Sequence, residues 1–401
     1  MPPQPPPRTV TLVLVTPGGE LVGALPPFEV ESPWWPEAQP VVRTARDRHG
    51  LEVTILRLLE APESWPGGAV TYLAEVESGG PAQPWKGRLD DHPLRMPWAR
   101  PGGPAADMAW ARRALADEGL RLAGDPEQIR SWNLSSLWRL PLEEGSAWFK
   151  SVPPFFEHEG RLLEVQATGP VPRLIAHDGR RMLLHEVPGE DLHEPTSEQL
   201  LRMVDQLVEL QARWLGRSGE LLALGLPDWR GPALAGAIGD VVRRVGTALP
   251  AGQRRVLDAF VAGLPQRLAL LADCGLPDTL VHGDFHPGNH RGSGTDFVLL
   301  DWGDAGVGQP LLDEQAMLER VPGAQGQTLR RHWQRLWHEV VPGSDPLRAA
   351  FLLAPVAAAR QAVIYQKFLD NIEPSEHPYH RHDPADWLRR TAQLLTRGAG
   401  R

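Results

Sequence analysis

β-Branched and apolar residues run through Val10–Val15, pause at Pro17-Gly18-Gly19 and resume over Leu21–Leu25. This pattern predicts a hairpin, and Val53–Leu59 and Val70–Val76 read as further strands. Val41–His49 is read as a helix closed by Gly50, the residue type that most easily turns a chain out of a helix. Together these elements predict a small α/β domain over residues 8–92, its regular structure ending near Pro84. The Pro- and Gly-rich residues 93–104 read as a linker, and Ala105–Leu122 returns to apolar residues at helical spacing. Trp132–Leu140 and Ala147–Val152 flank a turn at Glu143-Glu144-Gly145 and predict a two-stranded hairpin. Glu157–Ala167 reads as a helix and Arg181–Val187 as a strand. After Pro188-Gly189 the pattern is mainly helical, over Ser197–Leu215, Ala233–Thr247 and Arg254–Ala272, with strand-like pieces at Thr279–His282 and Phe297–Asp301. A strand-rich lobe, residues 105–188, therefore precedes a helix-rich lobe, residues 189–401.

Composition narrows this picture. With 401 residues, 42% of them hydrophobic, the chain buries a full core and is not disordered as a whole. Only residues 1–7, rich in proline, are expected to form a disordered tail. A net charge of -9 offers no global basic field for a polyanion, so nucleic acid is excluded as the expected partner. The single cysteine, Cys274, forms no internal disulfide and suits a reducing compartment. No apolar run near the roughly 18 residues of a membrane span stands out, nor does a signal-peptide core, so the expected location is cytoplasmic with no membrane partner. Lysine is scarce among the 41 basic residues, at Lys86, Lys150 and Lys367, and asparagine occurs only at Asn133, Asn289 and Asn371. Each of these is a candidate for chemistry that arginine or aspartate cannot perform.

The richest stretch is His282-Gly283-Asp284-Phe285-His286-Pro287-Gly288-Asn289, followed by Leu299-Leu300-Asp301-Trp302-Gly303. Phosphoryl transfer needs one carboxylate to orient the attacking hydroxyl and oxygen ligands to hold Mg2+ against the phosphates. The kinase pattern H-x-D-x-x-x-x-N followed by D-x-G supplies them, and His282, Asp284, Asn289, Asp301 and Gly303 stand at that spacing. Pro287 and Gly288 break any helix here, which predicts a loop. They also prevent His282, His286 and His290 from lining up as zinc ligands on one helical face.

LVHGDFHPGN with LLDWGDAGVGQP resembles the aminoglycoside phosphotransferase family. The resemblance implies an α+β, bilobal protein-kinase-like fold from about residue 105 onward, with the small α/β domain added in front. It implies Asp284 as the catalytic aspartate and Asn289 and Asp301 as magnesium ligands. Ser146–Lys150 resembles the strand that carries the ATP-binding lysine, and Glu159 on the next helix is its implied partner. Leu183–Val187 resembles the hinge that holds adenine through backbone groups, which nominates His185 and Val187. The implied cofactors are ATP and Mg2+, and the implied partner is a small molecule with a hydroxyl acceptor, its identity open. The loop Leu140–Gly145 departs from a Gly-rich phosphate loop, having one glycine and two acids, while Ser135 and Ser136 just before it are candidate phosphate contacts. Glu373 and Asp383 are candidate acceptor ligands.

In the N-terminal part, Arg43–Leu51 is similar in layout to the helix end of a Nudix hydrolase. Thr44 and Arg48 replace two of the expected acids and Trp35 a third, so the reading is a Nudix-like body without its chemistry. The competing functional expectation is a nucleotide-binding scaffold that recruits a partner through this body; the complete Lys150, Asp284, Asn289 and Asp301 set argues against it.

Overall fold

A computed structural model describes residues 5–63, 66–77, 79–80 and 82–398 and divides the chain into two compact units. Residues 1–4 of the proline-rich tail, and Trp65, lie outside the described residues, whereas the carbonyl of Pro7 accepts the N–H of Gly68 at 3.1 Å.

The first unit comprises Met1–Gly160, Arg173–Glu186 and Leu369–Arg381. It begins with β1 (Arg8–Val15), β2 (Leu21–Ala24), β3 (Phe28–Val30), α1 (Gln39–His49), β4 (Val53–Glu60) and β5 (Gly68–Val76). The strand order is β2-β1-β5-β4, with β3 also on β1, and the β1–β5 pair is parallel. β1 is a near-continuous apolar run because both of its faces are covered. Gly50 ends α1 in the left-handed region at φ 64° and donates its N–H to Arg46 O.

A second sheet follows α2 (Gly103–Asp117). It comprises β6 (Glu127–Trp132), β7 (Ser135–Pro141), β8 (Ser146–Ser151), β9 (Leu174–His177) and β10 (Arg181–His185), in the order β6-β7-β8-β10-β9, with α3 (His158–Val165) between β8 and β9. The expected two-stranded hairpin thus gains a partner, β6, which apolar patterning hides because two of its inward positions are polar. Gln128 bonds to both backbone groups of Ile55, at 2.8 and 2.7 Å, and Ser131 Oγ donates to Leu56 O at 3.3 Å. These bonds tie the two sheets of the unit together.

The segment 369–381 returns to this unit late in the chain. Glu373 accepts Arg95 at 2.8 Å and faces Arg57 Nε at 3.4 Å, Glu376 accepts the N–H of Leu58 at 3.2 Å, and the Tyr379 ring packs against Trp35 and Trp132. Glu373 is therefore buried among arginines and is not an acceptor ligand.

The second unit comprises Arg161–Pro172, Val187–Phe368 and His382–Arg401. Its elements are β11 (Glu190–Asp191), α4 (Ser197–Ala212), α5 (Ser218–Ala223), α6 (Gly231–Val245), α7 (Ala251–Ala272), β12 (Thr279–Val281), β13 (His290–Ser293), β14 (Asp296–Leu299), β15 (Gly306–Gly308), α8 (Leu312–Arg320), α9 (Gly323–Val340), α10 (Pro346–Asn371) and α11 (Asp383–Gly398). The short strands pair as β11-β13-β14 and β12-β15, and their connections carry the motifs read above. α10 corrects the expectation that no segment has the length and apolarity of a membrane span. It meets both criteria, but 67% of its most apolar window is buried, as in the core helix of a folded domain.

Candidate active site

β12 is a fully buried strand that ends at Val281, and after His282 the backbone turns sharply. Gly283 has φ 91°, and a Cβ there would lie 2.2 Å from Asp304 O, so only glycine fits. Asp313 fixes the turn by accepting the N–H groups of His282 at 2.9 Å and Gly283 at 2.8 Å, and it also accepts Gln211 Nε2 at 2.9 Å. Burial pushes the Asp313 carboxyl up to about 6, against the pull of those two N–H groups. His282 is buried with Nε2 2.9 Å from Leu300 O and its ring 4.6 Å from Trp302; burial lowers it to about 4, so it is neutral packing beneath the loop.

Asp284 is next and stays 45% exposed. Partial burial acts to raise its carboxyl, but the contact with His286, Nε2 at 3.4 Å, and the charge of Arg320 outweigh this and hold it down to about 2. Asn289 Nδ2 donates to Asp284 O at 2.9 Å and Oδ2 at 3.2 Å, which fixes the carboxylate. The expected loop contains one 3-10 turn, Pro287–Asn289, with proline in the first turn where its missing N–H costs nothing. Asn289 O accepts Leu300 N at 2.7 Å, and so the catalytic-type loop is joined to the end of β14.

Asp301 follows at φ 60°, the one non-glycine residue in the left-handed region among the described residues. Backbone strain of this kind persists where the surroundings over-determine the geometry, and it concentrates at functional sites. Trp302 pins the turn from below, its indole N–H donating to Leu299 O at 2.9 Å. From α10, buried Arg360 points its guanidinium at Gly283 O and Asp304 O, both at 3.4 Å, and stacks on Trp229 with its centre 4.8 Å from the ring. Asp304 rises to about 7, through burial first and then through the neighbouring charge of Asp284.

The nucleotide-side candidates lie mostly in the first unit. Lys150, on β8, gives Nζ to both Glu159 oxygens at 2.7 and 2.9 Å, and Glu159 sits in the first turn of α3. The structure therefore pairs the two residues that the sequence proposed as partners. His185 ends β10 and donates its N–H to Arg173 O at 2.9 Å; burial lowers its imidazole. Val187, in the second unit, accepts Arg291 Nε on its carbonyl at 2.8 Å, so each of the two residues nominated for the hinge has one backbone group already engaged. Ser135 and Ser136 are buried and accept the indole N–H groups of Trp132 and Trp138 at 3.0 and 2.9 Å, which removes them as phosphate contacts.

Sequence reasoning missed Arg360 and Asp313. One signal was present: Arg360 is the only charged residue between Arg348 and Lys367 in an otherwise apolar helix, and an isolated charge in such a run is rarely buried without a task.

Solved structures share this fold. A macrolide 2'-phosphotransferase from Brachybacterium faecium is 18% identical, covering 68% of this chain and 97% of that one, with a TM-score of 0.50. A choline/ethanolamine kinase family protein from Mesorhizobium loti is 18% identical, covering 72% and 94%, with a TM-score of 0.51. The GDP complex of aminoglycoside 2'-phosphotransferase-IIIa is 16% identical, covering 73% and 97%, also at 0.51. These define a kinase-like α+β phosphotransferase fold. The family model described as the phosphotransferase enzyme family (APH) matches residues 138–352, more than half of the chain, and the chain belongs to that family. It is a small-molecule kinase, a phosphotransferase with a hydroxyl acceptor. No curated protein matches it. The N-terminal sheet lies outside the matched segment, and nothing supports the Nudix resemblance.

Proposed function

We propose that the chain moves the γ-phosphoryl group of ATP to a hydroxyl of a small molecule, with Asp284 orienting the hydroxyl. The observation that carries this is Asp284 itself, ionised, partly exposed, and held by Asn289 on a loop that Asp313 and Arg360 fix from behind. The acceptor oxygen forms a bond to the γ-phosphorus as the β,γ-bridging P–O bond breaks and ADP leaves. The hydroxyl proton passes toward Asp284 and then to solvent. Positioning and charge compensation supply most of the rate in such transfers.

The donor chemistry fits Mg2+. The amide of Asn289 uses Nδ2 on Asp284, which leaves Oδ1, and Asp301 adds a carboxylate; both are hard oxygen ligands. Mg2+ held by these two residues would complete its shell with phosphate oxygens and water. Bound there, Mg2+ would offset the charge that develops on the phosphates. Lys150, held by Glu159, is the residue assigned to the α- and β-phosphates, and His185 and Val187 are assigned to the adenine hinge.

The test is release of ADP or GDP by the purified full chain with Mg2+ and a panel of aminoglycoside, sugar, amino-alcohol and hydroxy-acid acceptors. Acceptor-dependent release from ATP supports the reading. Nucleotide binding without turnover on every acceptor class, at protein concentrations that give single-turnover sensitivity, would refute it.

A further inference from the structure

Five helices of the second unit, α7 to α11, line an open groove of about 700 Å3, within the usual range for a small-molecule site. α10 contributes Phe351, Ala354, Ala358 and Gln361, at successive turns. α8 contributes Gln315 and Glu319, and α11 contributes Trp387, Arg390 and Leu394. One turn past Gln361 on α10 is Tyr365, one turn before Trp387 on α11 is Asp383, and Arg320 follows Glu319 at the end of α8. Tyr365 is buried within electrostatic reach of Asp383, Asp284, Asp304 and Arg320. Arg320 and Tyr365 both lie within electrostatic reach of Asp284, so α8 and α10 carry the groove toward it.

The lining is unlike the rest of the chain. Of its five arginines, Arg390 pairs with Glu319 at 2.7 Å, Arg330 faces Glu314 at 3.5 Å and Arg360 is held among Asp304 and Asp313, which leaves Arg267 and Arg397 without a carboxylate partner among the described residues. The groove therefore keeps two uncompensated cations, Arg267 and Arg397, in a protein of net charge -9, and these favour an anionic over a polycationic acceptor. Its outer end joins an apolar face, where Leu347 and Phe351 are each 64% exposed, the highest values among the exposed large hydrophobic residues described, to Arg397 and to Arg267, whose Nη1 donates to Leu352 O at 3.0 Å. Unpartnered buried donors remain in the lining at Gln315 Nε2, Gln334 Nε2 and Arg360 Nε. Phe351 precedes Tyr365 by 14 residues and Arg397 follows Asp383 by 14, so each helix offers about 21 Å between the outer end and the catalytic end.

We propose that this groove receives the acceptor, and that the acceptor is an anionic amphiphile: an extended apolar chain with a hydroxyl at the Asp284 end and a carboxylate among the outer arginines. This rests on the role assigned above to Asp284. Apolar contact along α10 supplies affinity and the arginines supply sign selectivity, so length and charge of the acceptor should matter separately.

The test uses the full-length protein with Mg2+ and ATP and a series of ω-hydroxy carboxylates from four to sixteen carbons, alongside kanamycin and choline. The expected result is a rise of roughly 100-fold in kcat/KM across the series, modest for the carbons added because the groove is open on one side. Methyl esterification of the sixteen-carbon acid should lower kcat/KM by about 10-fold. Calorimetric binding of hexadecanoate, which has no hydroxyl to phosphorylate, gives a readout independent of turnover. Phe351→Asp, a surface change, should weaken that binding by about 10-fold or more while the Kd for ATP stays the same. A flat length series, a preference for the cationic acceptors, or hexadecanoate binding with no hydroxy acid turned over would overturn this proposal while leaving the kinase reading intact. Absence of turnover with every acceptor, cationic or anionic, would remove the kinase reading itself.

Discussion

In the first unit Arg57 and Arg95 surround Glu373, with Glu376 beside them; in the second, Arg360 lies among Asp304, Asp313 and Asp284. Both clusters bury guanidinium groups and carboxylates out of water, a cost that close pairing only partly returns. They differ in the backbone that each cluster holds. Glu373 and Glu376 fasten a late segment of the chain onto the N-terminal sheet, Glu376 through Leu58 N. Arg360 and Asp313 hold Gly283 and the turn after Asp301, the two stretches that carry the candidate chemistry. Like groups therefore fasten a returning segment in one unit and hold the candidate catalytic loop in the other, and mutation should separate the two.

The largest effect is expected at the residue that the second cluster serves. Asp284→Asn should lower turnover by roughly 100-fold or more with ATP affinity within a few fold, measured by ADP release and by calorimetry. Next comes the cluster itself. Arg360→Met should reduce kcat by about 10-fold and cost about 3 kcal/mol of stability, because the loop loses its tether and nearby carboxyls lose their cation. Unchanged kcat in folded protein would show that the loop holds its geometry without Arg360.

Glu373→Gln should cost a similar amount, about 3 kcal/mol, with kcat per folded molecule unchanged. Chemical denaturation alongside turnover at matched folded concentration checks this, and a fall in kcat would erase the contrast between the clusters. The smallest effect is in pH dependence. Burial, with Glu373 adjacent, raises Glu376 from 4.5 to about 8, so the folded chain keeps a proton that the unfolded chain releases. Its contribution is complete below pH 4.5 and fades as pH rises to about 8. Glu376→Gln keeps an acceptor for Leu58 and removes the titration, so over that interval Tm should fall less in the variant than in the parent, by about a few degrees. Parallel Tm profiles would place the titration elsewhere.

The sequence disclosed these regions unequally. Asp284, Asn289 and Asp301 lie within 18 residues of one another, and glycine and proline fix the turns between them, so local spacing alone displays the set. Lys150 stood out through the scarcity of lysine and Glu159 through the helix after it. Arg360 and Asp313 act on the loop from 77 and 30 residues away along the chain, and no periodicity encodes such a contact. β6 escaped notice because Gln128 and Ser131 face inward to bond the neighbouring sheet, reversing the apolar signal on which strand reading depends. Glu373 looked like a site acid because its arginine partners, Arg95 and Arg57, are 278 and 316 residues upstream.

The return of 369–381 to the first unit also sets an order of assembly. Leu58 and Glu376 are 318 residues apart, so at about 5–20 residues per second the amide of Leu58 leaves the ribosome roughly 15–60 s before its acceptor exists. Throughout that interval the nascent sheet lacks Tyr379, which belongs to its core cluster. The unit begun first is completed almost last, and a chain released early, before Tyr379, would enter the cell with apolar surface uncovered in the half already made.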